Sequence, residues 1–189
     1  MIEIMKSMAR QMAGFLMSAA RVAQTEMEIV MMTPREFVSK TLMGHEGGLS
    51  LDKADRGNWF GGKLVGSKYG VTGAALAAFR KVSSITAAQM KALTKDESIS
   101  IAMQDYYEGP GLDRLEWNAV TASIVDMGYN AGPRTAIRLA QRMIGVDHDG
   151  RIGRFTEAAY DDFVDEVGVK PAAAAYCERR IGYYERIIR

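Results

Sequence analysis

Thr33, Thr86 and Thr94 are followed, three residues on, by Glu36, Gln89 and Glu97. In such a pair the threonine hydroxyl accepts from the third helical N–H, while the Glu or Gln reaches back to the cap's own N–H; together they open a helix. Pro34 adds the residue best suited to a first helical position. Further helices are expected from a Thr72 cap over 74–81, over 118–129, from Pro133 to Gly145, over 155–167 and over 172–188. Gly109-Pro110-Gly111 and Asp149-Gly150 break the run. Between residues 49 and 72 the helical period lapses and glycine is dense, which predicts loop with short strands. The chain reads as mainly α with a small β element, without internal repeats.

A length of 189 residues suits one domain, or one domain with a small appendage. The net charge of +1 leaves no electrostatic footprint for nucleic acid. Cys177 is the sole cysteine, so the fold must stand on its core rather than on an internal disulfide. His45 and His148 are the only histidines and no Cys/His spacing suggests a metal. No cofactor is expected, and neither a phosphate loop nor a Ser-His-Asp set is recognisable.

Residues 1–32 stand apart. The uncharged run Gln11–Ala20 resembles a weak signal-peptide core. Yet Ile2, Met5, Met12, Phe15, Leu16, Ala19, Val22 and Ala23 recur at helical spacing among Lys6, Arg10 and Arg21, which reads better as an amphipathic helix. Eight of the 13 methionines lie here, and methionine suits adaptable interfaces. Two uses stay open: packing on its own domain, or docking on a virion or membrane-surface partner.

The helix opened by Thr33 runs toward Gly47-Gly48, a glycine stop that leaves Glu46 in the last turn. A helix C-terminus carries partial negative charge and raises the pKa of a nearby carboxyl, and partial burial acts the same way. Glu46 is therefore a candidate general acid. Asp52 and Asp55 follow on the glycine-rich loop, and Thr72 closes it. Glycoside hydrolysis takes one protonated acid and usually a second carboxylate, which Asp55 or Asp52 can supply, while Thr72 can hold a water. The plainer alternative makes Glu46 a solvated helix end and the two aspartates turn formers.

The ordered motifs resemble glycoside hydrolase family 108, the N-acetylmuramidases of phages and prophages. Glu46-Gly47-Gly48, Asp52 and Asp55 with Gly57, and Gly70-Val71-Thr72 follow the family's pattern, and Ser67 stands where members usually have threonine. Downstream, Asp105-Tyr106-Tyr107 is similar to a Tyr-Trp pair near the cleft, and Asn130-Ala131-Gly132-Pro133 to an Asn-x-Gly motif. Asp149-Gly150-Arg151-Ile152-Gly153 with Thr156 resembles a C-terminal peptidoglycan-binding module.

The resemblance implies a lysozyme-like, two-lobed α+β fold: arm 1–32, catalytic lobe 33–122 and C-terminal helical lobe 123–189. It implies Glu46 as acid, assisted by Asp55 and Thr72, with Asp52, Ser67, Tyr69, Tyr106, Tyr107 and Asn130 contacting glycan. The expected activity is hydrolysis of the MurNAc–GlcNAc β-1,4 bond of peptidoglycan strands by an endolysin or virion-associated lysozyme. Such an enzyme is made in the host cytoplasm and acts on the periplasmic wall. Lytic transglycosylase action and a non-catalytic wall-binding or virion structural role are the alternatives. The resemblance leaves two stretches unexplained, the arm and a longer loop, Asn58–Lys63. There Trp59 and Phe60 either stack on sugar or pack over the β element, packing being the commoner use of an aromatic pair.

Overall fold

The computed structural model describes residues 31–42 and 48–188. The expected arm, save its last two residues, and Glu46 with Gly47 lie outside the described residues. Helix α1 (Pro34–Phe37) opens at Thr33 with both halves of the capping box in place. The Glu36 carboxylate accepts from the Thr33 N–H at 2.8 Å, and the Thr33 hydroxyl accepts from the Glu36 N–H at 3.2 Å. The helix does not run on as α: Val38–Leu42 winds as a π turn.

Short elements fill the glycine-rich stretch. A 3₁₀ turn (Arg56–Asn58) leads into β1 (Trp59–Phe60), paired antiparallel with β2 (Lys63–Leu64). A second hairpin joins β3 (Ser67–Lys68) to β4 (Val71–Thr72). Both two-residue turns, Gly61-Gly62 and Tyr69-Gly70, place each residue at positive φ, as tight hairpins twisted like their strands require. Tyr69 holds φ 52° without glycine's freedom, a strained position of the kind that gathers at functional sites.

Gly66 joins the hairpins at φ 85°, and a Cβ there would lie 2.6 Å from the Ser50 carbonyl oxygen. That oxygen accepts the Ser67 N–H at 3.1 Å in the bridge tying the loop to β3. Gly66→Ala should therefore cost at least about 1–3 kcal/mol from backbone strain alone. A urea-unfolding midpoint equal to wild type would contradict this.

Helices make up the rest: α2 (Gly73–Arg80), α3 (Ala87–Ala92), α4 (Lys95–Met103), α5 (Ala119–Ala131), α6 (Pro133–Ile144), α7 (Arg154–Val167) and α8 (Val169–Ile188). A second π turn, Gln104–Glu108, continues α4. Thr72 and Thr86 cap α2 and α3, the latter with a full box. Thr94 also caps, its hydroxyl accepting from the Glu97 N–H at 3.1 Å, but the returning half of that box is missing. The Glu97 carboxylate instead takes both fork nitrogens of Arg80, at 2.7 and 2.8 Å. A two-point charge-assisted pair outcompetes one backbone N–H, and it fastens α2 to α4.

Two apolar clusters form. The smaller, Val71, Leu76, Ala77, Ile85, Met90, Leu93 and Ile101, lies beneath the second hairpin. The larger is built by α5 to α8 with Phe37, Val38, Ile99 and Met103. Helix α4 serves both, giving Ile101 to one and Ile99 to the other, so it is the strut shared by the two clusters. Residues 122 and 123, where the sequence reading divides the lobes, both lie inside the continuous helix α5.

Candidate active site

The loop carrying Asp52 and Asp55 is held from beneath by its neighbour Asn58. This side chain is fully buried, and its amide donates to the Asp52 carbonyl at 2.9 Å and to the Ser50 hydroxyl at 3.2 Å. The Asn58 backbone carbonyl accepts from the Val65 and Gly66 N–H groups, each at 2.9 Å, tying the loop to the hairpins. Sequence reading names Asn58 only as the start of the longer loop and gives it no role, for an asparagine beside glycine looks like any turn former.

Both aspartates are exposed. The Asp52 carboxylate accepts from the Ala54 N–H at 2.9 Å, and that of Asp55 from the Gly57 N–H at 2.8 Å. Each thus forms a local turn through one oxygen. A Cβ on Gly57 would sit 3.2 Å from Asp55 Oδ1 and 3.4 Å from Thr72 Cγ2. The Asp55 carboxylate and the Thr72 methyl thus both border Gly57, which has no side chain to fill the space beside them. The Thr72 hydroxyl already accepts from the Ala75 N–H at 3.3 Å as the cap of α2. Ser67 is half-buried next to the loop through its bridge with Ser50. Lys68 donates to the carbonyls of Lys91 and Leu93 at 2.7 and 2.8 Å, closing the end of α3, while its ammonium lies 5.0 Å from the centre of the Tyr69 ring.

Across the chain, the second π turn separates two neighbouring tyrosines. Tyr106 is half-buried and meets Tyr129 edge-on, with ring centres 5.1 Å apart. Tyr107, expected to touch glycan, is only 9% exposed and belongs to the core. Its ring packs edge-on against Trp117 at 5.6 Å, and burial pushes its hydroxyl up. Trp117 also meets Phe37 at 5.5 Å and donates its indole N–H to the Met32 carbonyl at 2.7 Å. One tryptophan thereby orients the segment that leads to Glu46. On the same turn as Tyr106, desolvation holds the Asp105 carboxyl above its ordinary value.

Both π turns fall on candidate-site segments, one leading into the Glu46 region and one carrying Asp105–Tyr107. Single-turn π insertions are frequent at functional sites, and no local residue preference announces them.

Asn130 is exposed near the end of α5, and its amide donates to the Asp126 carbonyl at 2.8 Å and to the Asp126 carboxylate at 3.3 Å. That carboxylate in turn pairs with the largely buried Arg180 of α8. The Asp149–Thr156 motif has an internal function. Buried Gln141 of α6 donates to Asp149 at 2.8 Å, the Arg151 carbonyl at 3.0 Å and Thr156 at 3.2 Å, and accepts from the Gly150 N–H at 2.8 Å. The bond from Gln141 holds the Asp149 carboxyl below its ordinary range.

The elements make a mainly helical fold with two small two-stranded sheets, in which a carboxylate loop is pinned by the hairpins and a π turn carries the neighbouring tyrosines. Residues 39–132 match the family model described as Glycosyl hydrolase 108. A similar solved structure is that titled "Structure of Brucella abortus SagA", at 26% identity and TM-score 0.60, covering 79% of each chain. No curated protein sequence matches the chain. Family and neighbour together support a peptidoglycan hydrolase acting on a glycan. The family match ends at Gly132, before the Asp149–Thr156 motif.

Proposed function

We propose that the chain is an N-acetylmuramidase that hydrolyses the MurNAc–GlcNAc β-1,4 bond, with Glu46 donating the proton to the leaving oxygen. The observation that carries the reading is that Asp55 and Thr72 both border Gly57 on a rigidly pinned loop. Each has an acceptor beyond its structural bond: the second oxygen of Asp55, which takes no hydrogen bond among the described residues, and the remaining lone pair of the Thr72 hydroxyl. Together they suit a water or a developing cationic sugar on the face opposite the acid. Asp52, Ser67, Tyr69, Tyr106 and Asn130 flank glycan in this reading, and Tyr107 supports the wall from within. The enzyme is made in the bacterial host cytoplasm and meets its substrate in the periplasmic wall, as an endolysin or attached to a virion through residues 1–32. The C-terminal helices form the second wall of the same cleft.

A lytic transglycosylase is the second reading. Its supporting observation is that both aspartates are already engaged in turns, and that chemistry needs no second carboxylate. Digestion of purified peptidoglycan followed by mass spectrometry separates the two. New reducing MurNAc ends are the expected product. Anhydromuramic ends would transfer the assignment to the transglycosylase, and sacculi bound without soluble fragments would make the protein a wall binder.

A further inference from the structure

Trp59 and Phe60 are neighbours in β1, so their side chains leave opposite faces of the hairpin. Phe60 turns inward: it packs against the smaller core cluster, and its Cβ lies 2.9 Å from where a Cβ on Gly73 would stand. Trp59 turns outward and is 43% exposed. A single exposed aromatic is ordinary on a protein surface, but this one is fixed. Its indole N–H donates to the Lys53 carbonyl at 3.0 Å, and its backbone is paired with Leu64. Lys53 lies between Asp52 and Asp55 on the loop that bears both carboxylates. The ring's polar edge is thus satisfied by that loop while much of the indole remains open to solvent.

We propose that Trp59 is a sugar-stacking platform that binds an N-acetylhexosamine unit of the glycan beside the carboxylate loop. The inference rests on the glycan-hydrolase reading above. A β-1,4-linked pyranose carries its polar substituents equatorially, so its two faces are C–H surfaces. A large, rigid aromatic face buries such a surface at little cost in side-chain entropy, and a polar handle fixed elsewhere keeps it oriented. Exposure and fixation occur together here, a combination that neither core packing nor surface solvation requires.

Trp59 and Trp117 are the two tryptophans, and Trp117 is half-buried against Phe37 and Tyr107, so intrinsic fluorescence can report on Trp59. Titrating the full chain with N-acetylated chitotetraose should shift and saturate that emission. In Trp59→Phe the shift should vanish while hydrolysis persists, since a ring remains. Trp59→Ala should raise KM about tenfold, the scale of one well-packed aromatic contact, while kcat stays near that of wild type. No shift in wild type, a shift retained in Trp59→Phe, or an unchanged KM in Trp59→Ala would each overturn the proposal. Equal losses in the Phe and Ala variants would also overturn it, because the indole's bond to the loop would then be what matters. If wild type releases no product from peptidoglycan but still shifts with the sugar through Trp59, the hydrolase reading fails and the platform stands.

Discussion

Glu46→Gln should lower the rate of peptidoglycan cleavage by about 10²–10⁴-fold, the usual contribution of a positioned general acid. The amide keeps the size and shape of the side chain but cannot deliver a proton to the leaving oxygen. The helix start is made by Thr33 and Glu36, and the approach to Glu46 is oriented by Trp117 through Phe37 and the Met32 carbonyl. The variant should therefore unfold at the wild-type temperature, and its loss should fall on kcat rather than KM. Retention of a tenth or more of wild-type turbidity clearing on wall suspensions would remove Glu46 from the mechanism.

Arg180→Ala should be strongly destabilising. Arg180 is 12% exposed and pairs with Asp126, which is 27% exposed, across the α5–α8 contact. Cutting one partner from a buried pair leaves the other charge without compensation, at a cost of about 3–5 kcal/mol. For a domain of this size that is a fall in melting temperature of roughly 10 °C. The double variant Asp126→Asn with Arg180→Met should recover much of the loss, because removing both charges is far less costly than removing one. Asp126 also accepts from the Asn130 amide, so the single variant should loosen the end of α5 as well. Calorimetry of the single and double variants tests both statements, and a single-variant loss within about 1 kcal/mol would mean that water already screens the pair.

The helix starts were legible because capping is local chemistry. Thr33, Thr72, Thr86 and Thr94 each meet an N–H three residues away, and no distant residue is needed to make that bond. Glu97 shows where such reading stops. Its position three residues after Thr94 satisfies the box pattern, but Arg80, 17 residues earlier in the chain, offers two charged donors. Trp59 and Phe60 divide for a similar reason: strand alternation makes their faces differ, but which face meets the core depends on where Gly73 and Val65 come to lie.

Tyr107 and the Asp149–Thr156 motif carry the same lesson. The first looks like a cleft aromatic and the second like a ligand loop. One is turned inward by the π geometry of Gln104–Glu108, the other drawn around the buried amide of Gln141. Motif spacing records which residues recur together, and does not separate holding a ligand from holding a loop.

By itself the sequence determined the helical class, the places where helices open, the turn-rich β segment and the order of motifs that places Glu46, Asp55 and Thr72 in one stretch. All of these follow from bonds and steric preferences within a few residues. Only the tertiary structure decided that Asp55 and Thr72 both border Gly57, that Asn58 pins the carboxylate loop from beneath, and that Trp59 rather than Tyr107 offers an open aromatic face. Those outcomes depend on which distant groups compete for the same donor, cavity or face, and that competition takes place only once the chain has packed.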